Sequence, residues 1–190
     1  MKIRDENICK AAIKVFMRYG IRRTTMNDIA AEAGLVRQTL YKIYPNKDAV
    51  LCAAIRFYSD QSLDAVKEGW KRAHSLADKL DVYFEHAICA SFAIVRASPE
   101  AADMIGGYTP AGKAEIRRVQ AQKAEAIAEI LAPYGDRIRL AGLGVDDYAD
   151  FIQHASIGLR DTANDEAHLR VLLASLKANI LSLTGCGRLD

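Results

Sequence analysis

Residues 24–51 read TTMNDIAAEAGLVRQTLYKIYPNKDAVL, and the fold is decided by how this stretch is punctuated. Thr24 and Thr25 precede a short apolar-periodic run, Met26 to Ala33, and offer a hydroxyl as its helix N-cap. Gly34 ends that run and permits the left-handed turn that follows. Arg37 to Ile43 reads as a further short helix, stopped at Pro45 because the residue before a proline avoids helical geometry. Upstream, Ile8, Ala11, Ala12, Val15, Phe16 and Tyr19 recur at three- and four-residue steps and mark an amphipathic helix that Gly20 is placed to stop. Three short helices, the second and third joined through a glycine-containing turn, form a helix-turn-helix layout. Ala30 and Ala33 are small where those two helices approach, while Ile29 and Leu40 would pin them onto Val15 and Phe16. Arg37, Gln38, Thr39 and Lys42 are left facing outward, side chains suited to the base edges and phosphates of a major groove. A small helical subdomain with a solvated face would carry the same pattern.

Charge separates this segment from the rest. Residues 1–47 hold ten Lys/Arg against four Asp/Glu, a net +6, whereas the whole chain of 190 residues carries only +2. The remaining residues therefore sum to −4, and a basic module on a mildly acidic body points to a polyanionic partner. With 51% hydrophobic and 26% charged residues, the composition is that of a globular chain long enough to bury a core without disulfide or metal staples. No apolar run reaches the ~18 residues of a membrane-spanning helix, and MKIRDENICK is too charged for a signal peptide. A cytosolic, unanchored protein is expected. Cys9, Cys52, Cys89 and Cys186 form no C-x-x-C pair and are read as buried or semi-buried thiols.

Helical periodicity continues to the end of the chain, with no period-2 strand run. Long helices are expected over about 47–72, 76–95, 111–132, 145–162 and 165–184, with a short helix and loop over 99–112 and a connection over 133–144. The expected class is all-α: a helix-turn-helix domain over 1–47 and a helical domain over 48–190. The last two helices carry stripes through Tyr148, Phe151, Ile152, Ala155 and Leu159 and through Leu169, Leu172, Leu173, Leu176, Ile180 and Leu183. These exceed what one small domain needs to bury, which predicts a homodimer held by two helix pairs about a two-fold axis.

The segment from Arg4 to Leu51 resembles the DNA-binding domain of the TetR (tetracycline repressor-like) transcription regulators. Ala11-Ala12, Phe16 and Gly20, then Thr25, Ile29-Ala30 and Ala33-Gly34, then Thr39-Leu40-Tyr41, Tyr44, Asn46-Lys47 and Leu51 fall in order without a gap. The resemblance implies that Thr25 donates to a phosphate, that Arg37, Gln38 and Thr39 meet base edges, and that Tyr41 and Lys47 hold phosphates. Lys42 would touch either, and Tyr44 would pack in the core. Two positions depart from the family pattern. Val36 stands where a Ser or Thr often caps the recognition helix, and Ile43 stands where a His or Tyr often contacts phosphate.

The symmetry of the expected dimer implies a double-stranded, palindromic or near-palindromic operator, and the resemblance further implies a C-terminal pocket for a small-molecule effector whose occupancy reaches the recognition helices through the helix starting near Lys47. Trp70, Tyr83, His86, Phe92, Tyr108, Phe151 and His154 are the candidate lining, since pockets combine apolar walls with a few polar groups. Aromatic residues at helical spacing are more often core than ligand contacts. His86 and Cys89 lie one turn apart, but two ligands do not make a zinc site, so neither metal nor cofactor is expected. No hydrolase, metalloprotease or phosphate-loop motif occurs, and the chain is not read as an enzyme. Two other readings fit the same residues: a constitutive DNA-binding dimer without effector, and a small all-helical carrier or enzyme.

Overall fold

The computed structural model describes residues 3–98 and 100–186. Among them every regular element is helical. Eleven α-helices run in chain order: α1 Ile3–Arg23, α2 Met26–Glu32, α3 Arg37–Ile43, α4 Lys47–Trp70, α5 Leu76–Tyr83, α6 Ala90–Ala97, α7 Ala101–Ile105, α8 Pro110–Leu131, α9 Gly135–Leu140, α10 Val145–Thr162 and α11 Glu166–Thr184. The chain divides into two compact units, one of residues 1–61 with 94–119 and the other of residues 62–93 with 120–190. The N-terminal unit is thus larger than the helix-turn-helix segment alone.

In the N-terminal unit, Phe16, Ile21, Ile29, Leu40, Leu51 and Met104 are fully buried and form one apolar cluster. Gly20 interrupts α1 as its position suggests. Its φ of 73° and ψ of 159° lie in a region essentially reserved for glycine, and the last turn of α1 follows this kink. Gly34, with φ 65°, supplies the left-handed turn between α2 and α3. Ala30 and Ala33 are buried beside it. Tyr44 is half-buried and packs against this cluster.

The C-terminal unit has its own core, in which Leu80, Tyr83, Ile127, Leu131, Ile152 and Leu169 are fully buried. The expected helix over 76–95 is not uniform. Phe84–Cys89 form a π-helical turn between α5 and α6, with the Ala90 N–H reaching back five residues to the Glu85 carbonyl. The connection expected over 133–144 is corrected: a 3₁₀ turn over Ala132–Tyr134 leads into α9. This helix escapes a periodicity reading because only one of its large apolar side chains, Ile138, is buried, while Leu140 is exposed. Ser75 and Asp165 cap α5 and α11 by accepting the Asp78 and His168 N–H groups. Cys9 and Cys89 are buried and Cys52 is half-buried, but Cys186 is exposed, contrary to expectation; all four are free thiols. Cys186 lies beyond the last helical turn of α11, past its Gly185 cap, so no packed face is available to cover it. No helix among the described residues is long and apolar enough to cross a membrane.

Candidate nucleic-acid interface

The site is built from the start of α2. Thr25 is its N-cap: the Oγ1 accepts the Asp28 N–H at 3.3 Å and donates to Asp28 Oδ2 at 2.8 Å, while the Thr25 N–H also donates to Asp28 Oδ2 at 2.8 Å. This reciprocal capping box satisfies two of the orphan donors at the helix end. The hydrogen bonds from the Thr25 hydroxyl and then its amide hold the Asp28 carboxyl below its ordinary range. The Thr25 hydroxyl expected to serve a phosphate therefore already has a carboxylate partner.

Lys47 is placed differently from the expectation of an outward phosphate contact. It opens α4 half-buried, and its ammonium donates to the carbonyls of Ile21 at 2.6 Å, Thr24 at 2.8 Å and Arg22 at 3.3 Å. These oxygens lie at and just past the C-terminal end of α1, where unsatisfied carbonyls carry the negative end of the helix dipole. Thr24 closes the same corner, with its Oγ1 donating to the Gly20 carbonyl at 2.8 Å. The α1–α2 junction is in this way tied to the start of α4.

Arg37, Gln38, Tyr41 and Lys42 are exposed on α3, and Thr39 is half-buried. The Arg37 guanidinium lies over the Tyr41 ring, 5.1 Å from its centroid, and donates to the Tyr41 hydroxyl at 3.3 Å. One helical turn apart, the two side chains hold each other on the outer face, an arrangement that guanidinium planarity favours. Val36 makes no side-chain cap for α3 and is 75% exposed, so an apolar side chain stands beside the first turn of that helix. Ile43 is half-buried against the core, which explains why an apolar residue is stable there. Thr25 caps α2, and Arg37, Gln38, Thr39, Tyr41 and Lys42 lie on α3, all within the N-terminal unit.

The candidate effector residues do not converge. Tyr83 and Phe92 are buried inside the C-terminal unit. Trp70 is half-buried there, with its indole N–H donating to the Lys79 carbonyl at 2.8 Å. His86, Phe151 and His154 are exposed on that unit's surface. Phe151 stacks on Tyr148 at 6.1 Å, and His154 Nδ1 lies 3.0 Å from the Asp150 carbonyl. Tyr108 is exposed and belongs to the other unit. The residues that do meet inside the C-terminal unit include several that pattern reading passed over. The Tyr83 hydroxyl donates to the Gln153 side-chain oxygen, and Gln153, Ser91 and Ser156 are buried polar groups. Arg160 donates to the Ser91 hydroxyl at 3.4 Å. Lys123 lies in the same unit, and loss of hydration together with the Arg160 charge lowers its ammonium to about 8. A signal was available: Lys123 sits four residues from Val119 and from Ile127, on the apolar stripe of α8.

Comparison with known proteins agrees with this geometry. Residues 8–54 match the family model for bacterial regulatory proteins of the tetR family. The uncharacterized HTH-type transcriptional regulator YerO of Bacillus subtilis (strain 168) is 31% identical over 67 residues, which span 35% of this chain and 23% of YerO. The structure of the fatty acid degradation regulator FadR from Bacillus halodurans superimposes with a TM-score of 0.68 at 17% identity, covering 97% of this chain and 96% of that one. The transcriptional regulator FadR from Bacillus subtilis in complex with stearoyl-CoA gives 0.61 at 19% identity, covering 96% and 98%. The likeness to solved structures thus extends over nearly the whole chain, while the family model matches residues 8–54, which contain α2 and α3. Residues 8–54 are thus similar to bacterial regulatory proteins of the tetR family, and the chain spans less than half the length of the curated relatives it matches.

Proposed function

We propose that this protein is a transcription regulator that binds a palindromic operator as a homodimer and is released from it by a small-molecule effector held in the C-terminal unit. It acts in the cytoplasm, where bacterial DNA lies. The observation that carries the reading is the outer face of α3: Arg37 and Gln38 stand exposed in its first turn, behind a capped α2 and a Gly34 turn, on a segment of net +6. Arginine and glutamine match guanine and adenine by paired hydrogen bonds. Thr39, less exposed, sits beside them at the groove edge. Tyr41, Lys42 and Thr25 are the backbone-facing groups. Lys47 supports them chiefly by fixing the α1–α2 junction. Exposed Phe151 and Val171 on α10 and α11 support a dimer face on the last two helices, and two-fold symmetry sets the half-sites about one helical turn, roughly 34–36 Å, apart. FadR from Bacillus subtilis was solved with stearoyl-CoA, which supports a ligand-holding role for the corresponding part of this chain.

The test is selection of bound sites from random DNA, followed by titration of the selected operator. Gln38→Ala should lose about 1–3 kcal/mol of discrimination between operator and random DNA and retain its affinity for random sequence. Equal weakening on both DNAs, or recovery of unrepeated single sites, would overturn the reading.

A further inference from the structure

A residue just ahead of a helix stabilises the fold by capping the first turn or by packing. Thr25, Asn46, Ser75, Thr109 and Asp165 cap: each side-chain oxygen accepts a first-turn N–H, in α2, α4, α5, α8 and α11 respectively. Val36 does neither at the start of α3. Its carbonyl accepts the Thr39 and Leu40 N–H groups at 2.9 and 3.3 Å, but its side chain makes no cap bond. Packing does not call for a valine either. Val36 is 75% exposed, and among the described residues of the N-terminal unit no large apolar side chain is more so. Its backbone, at φ −70° and ψ 139°, is the extended conformation that a capping serine or threonine takes. The folded chain therefore gives up a cap here and gains no contact in return. The neighbours show which way the side chain can be used: Arg37 and Gln38, the next two residues, are exposed, and Arg37 is held over the Tyr41 ring.

We propose that Val36 is a specificity-determining residue, packing its methyl groups on the C5-methyl of a thymine in each operator half-site. This assignment rests on the reading of α3 as the helix that enters the major groove. In that docking the N-terminal residues of the recognition helix meet the base edges, and Val36 stands at that end. Base edges in the major groove offer hydrogen-bonding groups and one apolar group, the thymine methyl. Arg37 and Gln38 answer the former and Val36 the latter. Removing both apolar surfaces from water selects thymine without a hydrogen bond. Two competing explanations predict something else. Thr39 also carries a methyl and could make the contact instead, and a valine merely tolerated in solvent would make none.

The experiment takes the operator selected from random DNA and replaces its thymines with deoxyuridine, one position at a time in both half-sites. Deoxyuridine keeps the O4 acceptor and the base pair and loses only the methyl. At one position the affinity of the full-length protein should fall about fourfold per half-site, as burial of one methyl-sized group predicts. Val36→Ala should lose most of that preference at an unchanged urea midpoint. Val36→Ser should lose it too while raising the urea midpoint, because serine restores the cap. Stability and thymine preference then move in opposite directions, which a structural role for Val36 would not produce. Thr39→Ser should keep the preference of the parent protein. The proposal is overturned if no deoxyuridine weakens the parent, if Val36→Ala keeps the preference in full, or if Thr39→Ser abolishes it. Failure to select any operator overturns the reading of α3 itself, whereas a selected operator indifferent to deoxyuridine overturns the role of Val36 alone.

Discussion

Lys47 illustrates how a residue with an obvious electrostatic task is used for another. A lysine at the entrance of a helix, in a basic segment, reads as a phosphate contact, and its three acceptors lie 23 to 26 residues earlier in the chain, too far for spacing to reveal. Charge-assisted hydrogen bonds to helix-end carbonyls contribute more than neutral ones. Lys47→Ala should therefore lower stability by about 1–3 kcal/mol, read as a fall in the urea midpoint, and the salt slope of operator binding should stay within less than one counterion of the parent. A slope reduced by a full counterion with unchanged urea midpoint would return Lys47 to the phosphate contacts. Arg37, by contrast, was legible: it is exposed in the first turn of α3, as expected, and only its stacking on Tyr41 needed coordinates.

Among the helices, those with punctuation at both ends were readable from residues alone. Thr25 and Gly34 delimit α2, and Pro45 ends α3, because capping, left-handed φ and the proline restriction are local physics. The π-helical turn and α9 were not readable, since the first changes hydrogen-bond reach without changing the apolar pattern and the second buries a single large side chain. Gly20 offers a direct test of the local reading. A Cβ there meets nothing nearer than Glu100 Cγ at 3.5 Å, so space is not the obstacle, yet the backbone conformation excludes other residues. Gly20→Ala should cost about 1–3 kcal/mol by chemical denaturation; an unchanged midpoint would mean that α1 straightens without penalty. Between α4 and α8, the Glu115 carboxylate, 10% exposed, accepts from Arg56 at 3.2 and 3.0 Å and from Arg118 at 2.6 Å. The Arg56 hydrogen bonds foremost hold its carboxyl below the ordinary 4.5. A lowered folded-state value gives stability that is complete above 4.5 and lost as pH falls through the folded value. Glu115→Gln should thus reduce stability at pH 7 and flatten the decline below pH 4.5, as followed by urea midpoints from pH 7 to 3; an acid decline as steep as the parent's would rule the tie out.

For the molecule as a whole, charge marks a basic first quarter and an acidic remainder, the compact units divide elsewhere, and the family resemblance followed from that quarter alone. The interior of the C-terminal unit was the least legible part. Aromatic residues were the natural candidates for its ligand contacts, but three of the seven, His86, Phe151 and His154, lie on its outside, and the buried polar Ser91, Gln153 and Ser156 were passed over. Phe151, 57% exposed on α10, is better placed to meet a second copy of the chain. If the proposed dimer forms through this face, Phe151→Asp should convert it to a monomer at micromolar concentration in sedimentation experiments and cost operator affinity accordingly, since a charge in an apolar contact is strongly unfavourable. A variant that sediments as the parent does would move the dimer face elsewhere.

The π-helical turn over Phe84–Cys89 also has a meaning for descent. Such a turn is the trace of one residue accommodated in a helix without breaking it. Because each residue advances a helix by about 100°, a relative lacking one residue here would keep its helix yet turn Ser91 away from Arg160, and divergence by a single codon would be enough to break that contact.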